Sequence, residues 1–222
     1  MSILRRKFPL GLILAGVLAG LTVGVQADDP DPILEYYWTR AAETAFRTLP
    51  VYLGSSYRFD ARTYYHHVTS DGDITRTDSA VIRYFYTGAV QDSQQVIAGD
   101  GDRFKRFEPV VPDVFGEPFH LHFYPNDTGG SEIAIGFRAD SATAGEPDGL
   151  IVINRRRHHL IRLYASYTDK PDYRRYSRFF RFAETDGLIV PDSISEVATR
   201  EGVFGLESYR VEAVISDVQV EP

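Results

Sequence analysis

The sequence predicts an α+β chain dominated by β structure: a large curved antiparallel sheet with one amphipathic helix against its concave face. Three observations predict it. A single stretch near the N-terminus, residues 32–49, carries its apolar residues at helical spacing. After Gly54 the period changes to two, and about ten short alternating segments follow. Turn signals stand close together at Asp71-Gly72, Asp100-Gly101, Asp148-Gly149, Asp186-Gly187 and Glu201-Gly202. Sequential strands joined by such turns make an antiparallel meander.

The first 27 residues read as a secretory signal peptide. Arg5, Arg6 and Lys7 form a basic start, Leu10 to Val25 an uncharged apolar run, and Val25-Gln26-Ala27 a small-x-small cleavage site before Asp28 and Asp29. Residues 28–222 are then expected to form one exported, periplasmic domain, long enough to bury roughly 70% of its unfolded surface. The helix begins with Asp31 as N-cap and Pro32 at its first position. Ile33, Tyr37, Ala41 and Ala45 share a broad apolar stripe with Leu34, Trp38, Ala42 and Phe46, and Pro50 ends it.

The strands follow in order. Tyr57, Phe59, Ala61 and Tyr65 oppose Arg58, Asp60, Arg62 and His66. In residues 74–87, Ala80, Ile82, Tyr84 and Tyr86 lie on one face; residues 94–98 add a short strand, and Asp100-Gly101 is expected to turn into another over 103–107. Three prolines make 109–118 a loop or covering flap. Phe119, Leu121 and Phe123 alternate with His120 and His122; Ile133, Ile135 and Phe137 alternate with Glu132, Ala134, Gly136 and Arg138. The pentapeptide Asp-Gly-Leu-Ile-Val then occurs twice, at 148 and at 186, each copy read as a turn feeding a strand, the second closing at Pro191. Residues 193–200 and a final strand with Tyr209, Val211, Ala213 and Ile215 on one face complete the chain.

Composition narrows the function classes. The chain is 43% hydrophobic and 25% charged, ordinary for a globular protein. Its formal charge is −7, and loss of the three leader cations makes the mature chain more acidic still, which argues against nucleic acid as a partner. No cysteine is present, so disulfides, thiolate metal sites, a cysteine nucleophile and a lipidated cysteine are all excluded. Asn126-Asp127-Thr128 matches a glycosylation acceptor and reads equally well as a polar turn.

No catalytic constellation stands out. The six histidines fall in close pairs, His66-His67, His120-x-His122 and His158-His159. Only His120 and His122 would share a strand face, and zinc would still need a third ligand from elsewhere, so neither a metal nor a cofactor is predicted. The acid pairs around Gly72 and Gly101 are explained by turn chemistry. There is no Gly-x-Ser-x-Gly elbow, Ser-x-x-Lys pair or phosphate-binding loop. The segment 149–182 holds nine cations against two acids. It is either a sheet face whose Arg rows pair with acidic neighbouring strands, or a cationic patch, centred on Arg155, Arg156 and Arg157, for an anionic headgroup, a membrane surface or an acidic partner. The inward apolar residues likewise form either a solid core or the lining of a cavity.

Several segments carry a family resemblance: the amphipathic N-terminal helix, the strand Gly149-Leu150-Ile151-Val152-Ile153-Asn154, the strand Leu160-Ile161-Arg162-Leu163, the Tyr/Phe-rich strand after it, Asp186 to Pro191, and Glu207-Ser208-Tyr209-Arg210-Val211. In this layout, best over 149–217, the chain resembles the periplasmic lipoprotein-carrier superfamily of LolA/LolB-like proteins. The resemblance implies an incomplete antiparallel β-barrel wrapped around helices, with an apolar cavity for lipoprotein acyl chains or other lipids. It also implies kinship with lipid binders and with sensor domains of envelope-stress regulators. It transfers no individual functional residue.

The expectation is therefore a monomeric, non-enzymatic binder or carrier of a lipid or acyl chain in the cell envelope. The expected lining is Trp38, Phe59, Ile82, Tyr84, Leu121, Phe123, Ile133, Ile135 and Phe137. The alternative is an envelope interaction or stress-sensor module with a solid core and a docking patch at Arg155–Arg157; a hydrolase or His-based metal protein stands third.

Overall fold

The structure of the protein, a computed structural model, describes residues 31–116, 119–123, 130–139, 147–168, 170, 172–202 and 205–221, with backbone alone at Phe123 and Ala139. The signal-peptide reading and the Asn126 acceptor lie outside the described residues. Helix α1 (Pro32–Thr48) and the single turn α2 (Pro50–Leu53) precede ten strands. These are β1 (Ser56–Val68), β2 (Ile74–Thr87), β3 (Val90–Gly99), β4 (Phe119–Phe123), β5 (Glu132–Ala139), β6 (Asp148–Asn154), β7 (Leu160–Tyr167), β8 (Tyr173–Thr185), β9 (Leu188–Gly202) and β10 (Gly205–Val220).

All ten form one sheet in the order β3-β2-β1-β10-β9-β8-β7-β6-β5-β4, with every neighbouring pair antiparallel. The sheet is mainly β structure on the predicted plan, and it does not close: β3 and β4 are its two edges. Most of the order is a meander, but β1 pairs with β10, so the first and last strands meet in the interior of the sheet. Consecutive strands β3 and β4 therefore sit at opposite edges. Nine inter-strand spacings of about 4.8 Å separate them along the sheet, and the chain between must cross its concave side.

That crossing segment, residues 100–116, corrects the strand expected at 103–107. Asp100 accepts the backbone N–H of Asp102 through Oδ1 at 3.0 Å, and a 3-10 turn forms at Asp102–Phe104. The segment then continues as the expected Pro-rich cover. The two copies of Asp-Gly-Leu-Ile-Val also part company. At Asp186-Gly187 both residues have positive φ, 51° and 79°, and the pair is a hairpin turn. At Asp148-Gly149 both residues lie inside β6. There a β-carbon on Gly149 would stand 2.0 Å from the Tyr164 carbonyl oxygen on β7, so glycine permits close strand approach rather than a turn.

β9 also runs through Pro191, where the sequence suggested an end. Its pairing to β10 reaches only Ser193, and its register with β8 shifts at Phe182–Pro191. The proline thus sits where one side of the strand has no partner needing its N–H.

The faces sort as the alternation predicts. Inward go Phe59, Ala61 and Thr63 of β1, Ala80, Ile82, Tyr84 and Tyr86 of β2, Ile133, Ile135 and Phe137 of β5, and Val211 and Ala213 of β10, all buried. The helix is narrower in its buried face than its sequence stripe: Leu34, Ala41 and Ala45 are buried, whereas Ile33 is 58% and Phe46 46% exposed. Asp31 caps it by accepting the Ile33 N–H at 2.9 Å. No helix among the described residues is long and apolar enough to cross a membrane.

Candidate functional site

The site is built from what covers the concave face. Residues 100–116 lay Phe104, Phe107, Val111 and Val114 into the same apolar cluster as the sheet, each buried. Burial of side chains this size contributes about 1.5–3 kcal/mol each. Among the described residues no strand pairing holds this strap to the concave face; side chains do. The guanidinium of Arg178, on β8, donates to the carbonyls of Glu108 and Val110. The Tyr52 hydroxyl donates to Asp113 Oδ1 at 2.9 Å, and burial beside that carboxylate pushes the phenol pKa well up. Trp38 of α1 packs its ring against Phe115 of the strap at 5.1 Å, Phe137 at 5.8 Å and Phe119 at 6.2 Å.

The residues expected to line a cavity fall into two groups on the two arms of the sheet. Phe59, Ile82 and Tyr84 belong to β1 and β2. There Phe59 stacks on Tyr84 and Tyr86 at 5.5 and 5.8 Å, and burial raises the pKa of Tyr84 and Tyr86 strongly. Ile133, Ile135 and Phe137 are buried on β5, with half-buried Leu121 on β4 and Trp38 above them. Phe123 pairs with Ile135 through its backbone; its side chain lies outside the description. Between the two arms sits the strap. An apolar gap bounded by Leu49, Tyr57, Phe59, Val111, Val190 and Ile215 measures about 20 Å³, room for little more than one water.

The larger spaces have charged as well as apolar walls, and one of about 310 Å³ lies beside Phe107 of the strap and Tyr65, Glu196, Tyr209 and Val211 of the sheet. A cleft of about 590 Å³ opens at one end of the strap beside Arg106, Tyr173, Arg174, Arg200, Glu201 and Glu207. Its cations are mostly spoken for: Arg174 pairs with Glu201 at 2.7 Å and Arg200 with Glu207 at 3.0 Å. Below it lies a buried polar network that sequence reading passed over. Glu196 is 2% and Arg178 5% exposed, with Arg178 Nε 3.8 Å from Glu196 Oε2. The Tyr176 hydroxyl donates to Glu196 Oε2 at 2.7 Å, and the Tyr209 hydroxyl lies 3.2 Å from Oε1. The signal was available: Glu196 shares its strand face with Ile194 and Ala198, and Arg178 with Phe180 and Phe182, on the inward parity of β9 and β8. The strap residues left a weaker trace, four apolar side chains spread through a segment with no regular period.

The three arginines proposed as a patch share the turn after β6, but their charge is partly used. Arg157 pairs with Glu184 at 2.9 Å, Arg155 is half-buried, and Arg156 is exposed. The same pairing recurs along the cationic segment: Arg162 with Glu132, Arg174 with Glu201, Arg181 with Asp192. The histidine pairs are dispersed. His66 and His67 approach Glu212 and Asp78 at 3.7 and 3.4 Å, His122 lies over Gly136, and His158 packs edge-on to Tyr36. Among the described residues no group of three or more His, Cys, Asp or Glu is placed to hold a metal ion.

Comparison with solved structures finds likenesses at low sequence identity. It is similar to a LolA-superfamily protein from Nitrosomonas europaea, 11% identical, covering 85% of this chain and 94% of that one at a TM-score of 0.42. It is similar also to a putative outer-membrane lipoprotein-sorting protein domain from Vibrio parahaemolyticus, 8% identical, covering 85% and 93% at a TM-score of 0.46. A weaker likeness is to the MucA/MucB complex of Pseudomonas aeruginosa, 8% identical at a TM-score of 0.26. No protein-family model matches the sequence, and no curated protein sequence matches it.

Proposed function

We propose that the mature chain, residues 28–222, is a single periplasmic domain that binds a lipid or acyl chain without catalysing a reaction, with the strap as the cover of its binding face. The observation that carries the reading is the strap. An apolar concave face is covered by a segment that uses side-chain contacts in place of strand pairing, and such a cover can leave without dismantling the sheet. A ligand replacing Phe104, Phe107, Val111 and Val114 would meet Phe59, Ile82 and Tyr84 on one arm, and Leu121, Phe123, Ile133, Ile135, Phe137 and Trp38 on the other. Each buried methylene is worth about 0.8 kcal/mol gross, offset by displacing the strap and ordering the chain.

Trp38 is the only tryptophan, and it touches strap residue Phe115, so it reports on the cover. Titrating the protein with a fatty acid should shift Trp38 emission saturably, and native mass spectrometry should show one bound chain. Protein that is ligand-free as isolated, takes up no lipid and keeps its Trp38 spectrum would exclude the carrier reading.

A second reading is favoured by the filled interior itself: an envelope interaction module whose solid core presents the turn Arg155–Arg157 to an acidic partner. Reversing those three charges would then abolish partner capture and leave lipid binding untouched.

A further inference from the structure

Nothing about the strap explains the surroundings of Lys170, between β7 and β8. Its ammonium nitrogen stands 3.5 Å from the ring centroid of Tyr176, 5.5 Å from that of Tyr173 and 5.7 Å from that of Tyr167. The Tyr167 and Tyr173 rings lean at 57° and 54° to Tyr176, with centroids 5.4 and 5.1 Å away. The three rings form a cup with Tyr176 as its base and the other two as inclined walls. Cations bind such ring faces through the aromatic quadrupole. The base is set by a charged anchor: the Tyr176 hydroxyl donates at 2.7 Å to Glu196, itself 2% exposed. One wall of the cup, Tyr173, also lines the 590 Å³ cleft, so the cup borders open space.

Lys170 is a poor occupant for it. A primary ammonium has three N–H donors to satisfy, and among the described residues the Lys170 ammonium meets ring faces, while the hydrogen bond Lys170 makes is through its backbone carbonyl, to Tyr173 N–H. Desolvation by burial lowers its pKa, with nearby Arg178 adding to the effect against the attraction of Glu196 and Glu108. A trimethylammonium group carries the same charge with no donor to leave unmade and a weaker hold on water. Ring faces suit it better than they suit lysine.

We propose that Tyr167, Tyr173 and Tyr176 form a binding cup for a trimethylammonium group of choline type, and that Lys170 is its built-in competitor. Such a group is offered by free choline-like solutes and by choline lipid headgroups alike. The site is independent of whether an acyl chain enters beneath the strap. Self-occupation weakens apparent affinity by the fraction of molecules in which the cup is empty.

The test is a calorimetric titration of the full mature chain with tetramethylammonium. Lys170→Ala should bind it at least about 10-fold more tightly than the wild type, the scale expected for a desolvated cation–ring site freed of its competitor. Adding Tyr176→Leu should remove the gain; because Tyr176 is also bonded to Glu196, Tyr173→Leu at the rim serves as the second variant. Equal affinity in wild type and Lys170→Ala, or a gain that survives both tyrosine changes in folded protein, overturns the proposal. Co-sedimentation then assigns the source. Retention of Lys170→Ala by phosphatidylcholine vesicles and not by phosphatidylglycerol vesicles assigns the cup to a lipid headgroup. Binding of tetramethylammonium without vesicle retention assigns it to a soluble choline-type ligand.

Discussion

Arg178 and Val110 are 68 residues apart in the chain, yet the guanidinium of one donates to the carbonyl of the other at 3.0 Å. The contact ties β8 to the strap, and the same side chain faces buried Glu196 from 3.8 Å. Arg178 therefore does two jobs. It satisfies strap carbonyls that have no strand partner, and it compensates a carboxylate taken out of water.

Removing it leaves Glu196 buried with only phenol donors. Arg178→Met is expected to cost about 3–5 kcal/mol, the scale for breaking one half of a buried pair. Arg178→Met with Glu196→Gln should recover part of that loss, because the uncompensated charge is gone while the strap contacts remain missing. Urea denaturation of the two variants and the wild type measures both figures. A loss below about 1 kcal/mol, the scale of an exposed ion pair, would mean that Glu196 finds other compensation.

If the strap is a removable cover, loosening it should expose a binding face and not merely soften the molecule. The Arg178→Met, Glu196→Gln pair is expected to take up a lipophilic dye more readily than wild type at temperatures where both are folded. Gly149→Ala, destabilised two strands away on β6 and making no contact with the strap carbonyls, supplies the control. Equal dye uptake by both would show general loosening and speak for the solid-core module.

Two glycines separate tolerable from intolerable crowding. A β-carbon at Gly136 would lie 2.2 Å from His122 Nε2, the far end of a side chain that can move. At Gly149 it would lie 2.0 Å from a backbone oxygen of Tyr164 and 2.7 Å from Phe137 Cζ. Gly136→Ala should cost about 1–3 kcal/mol, and combining it with His122→Ala should restore most of that. Gly149→Ala should cost more, because strand pairing itself must shift, and no single side-chain deletion should rescue it. Thermal melts of these variants provide the comparison.

The sheet was legible in the sequence because its alternation is local: Ile133, Ile135 and Phe137 announce one face within five residues. So was α1, with its Asp31 cap and Pro32. What was not legible depends on long-range neighbours. The same Asp-Gly pair is a turn at 186 and strand at 148, because Gly149 is required by Tyr164 and Phe137, which lie on other strands. Pro191 reads as a stop, yet its strand continues because β10 has already left that side. The pairing of β1 with β10 has no local trace, and from it follows the placing of β3 and β4 at opposite edges. Only then does a Pro-rich segment become a strap, with Phe104 and Phe107 in the core. In the same way Arg178 reads as one cation in a basic run, until β9 brings Glu196 beneath it.

Three histidines set the response to acid. His66, His122 and His159 all have pKa values lowered from 6.5, in each case mainly because burial disfavours the charged ring. Arg210, Arg138 and Arg157 respectively push the same way, while Glu212, Asp148 and Glu184 oppose them. In the unfolded chain each takes up a proton as pH falls through 6.5; in the folded chain protonation waits for a lower pH. The unfolded state then holds more protons, so stability rises with pH across that window. It should be full above about pH 7, where the rings are neutral in both states, and should fall between pH 6.5 and the folded values. At the other end the buried phenols of Tyr52, Tyr57, Tyr84 and Tyr86, raised by desolvation, ionise first in the unfolded chain. Stability should therefore fall again above about pH 10. Urea midpoints measured from pH 5 to 11 should trace this plateau. His122→Gln should flatten its acid side while leaving the alkaline limb in place, and an acid limb unchanged in that variant would assign the effect to His66 and His159 alone.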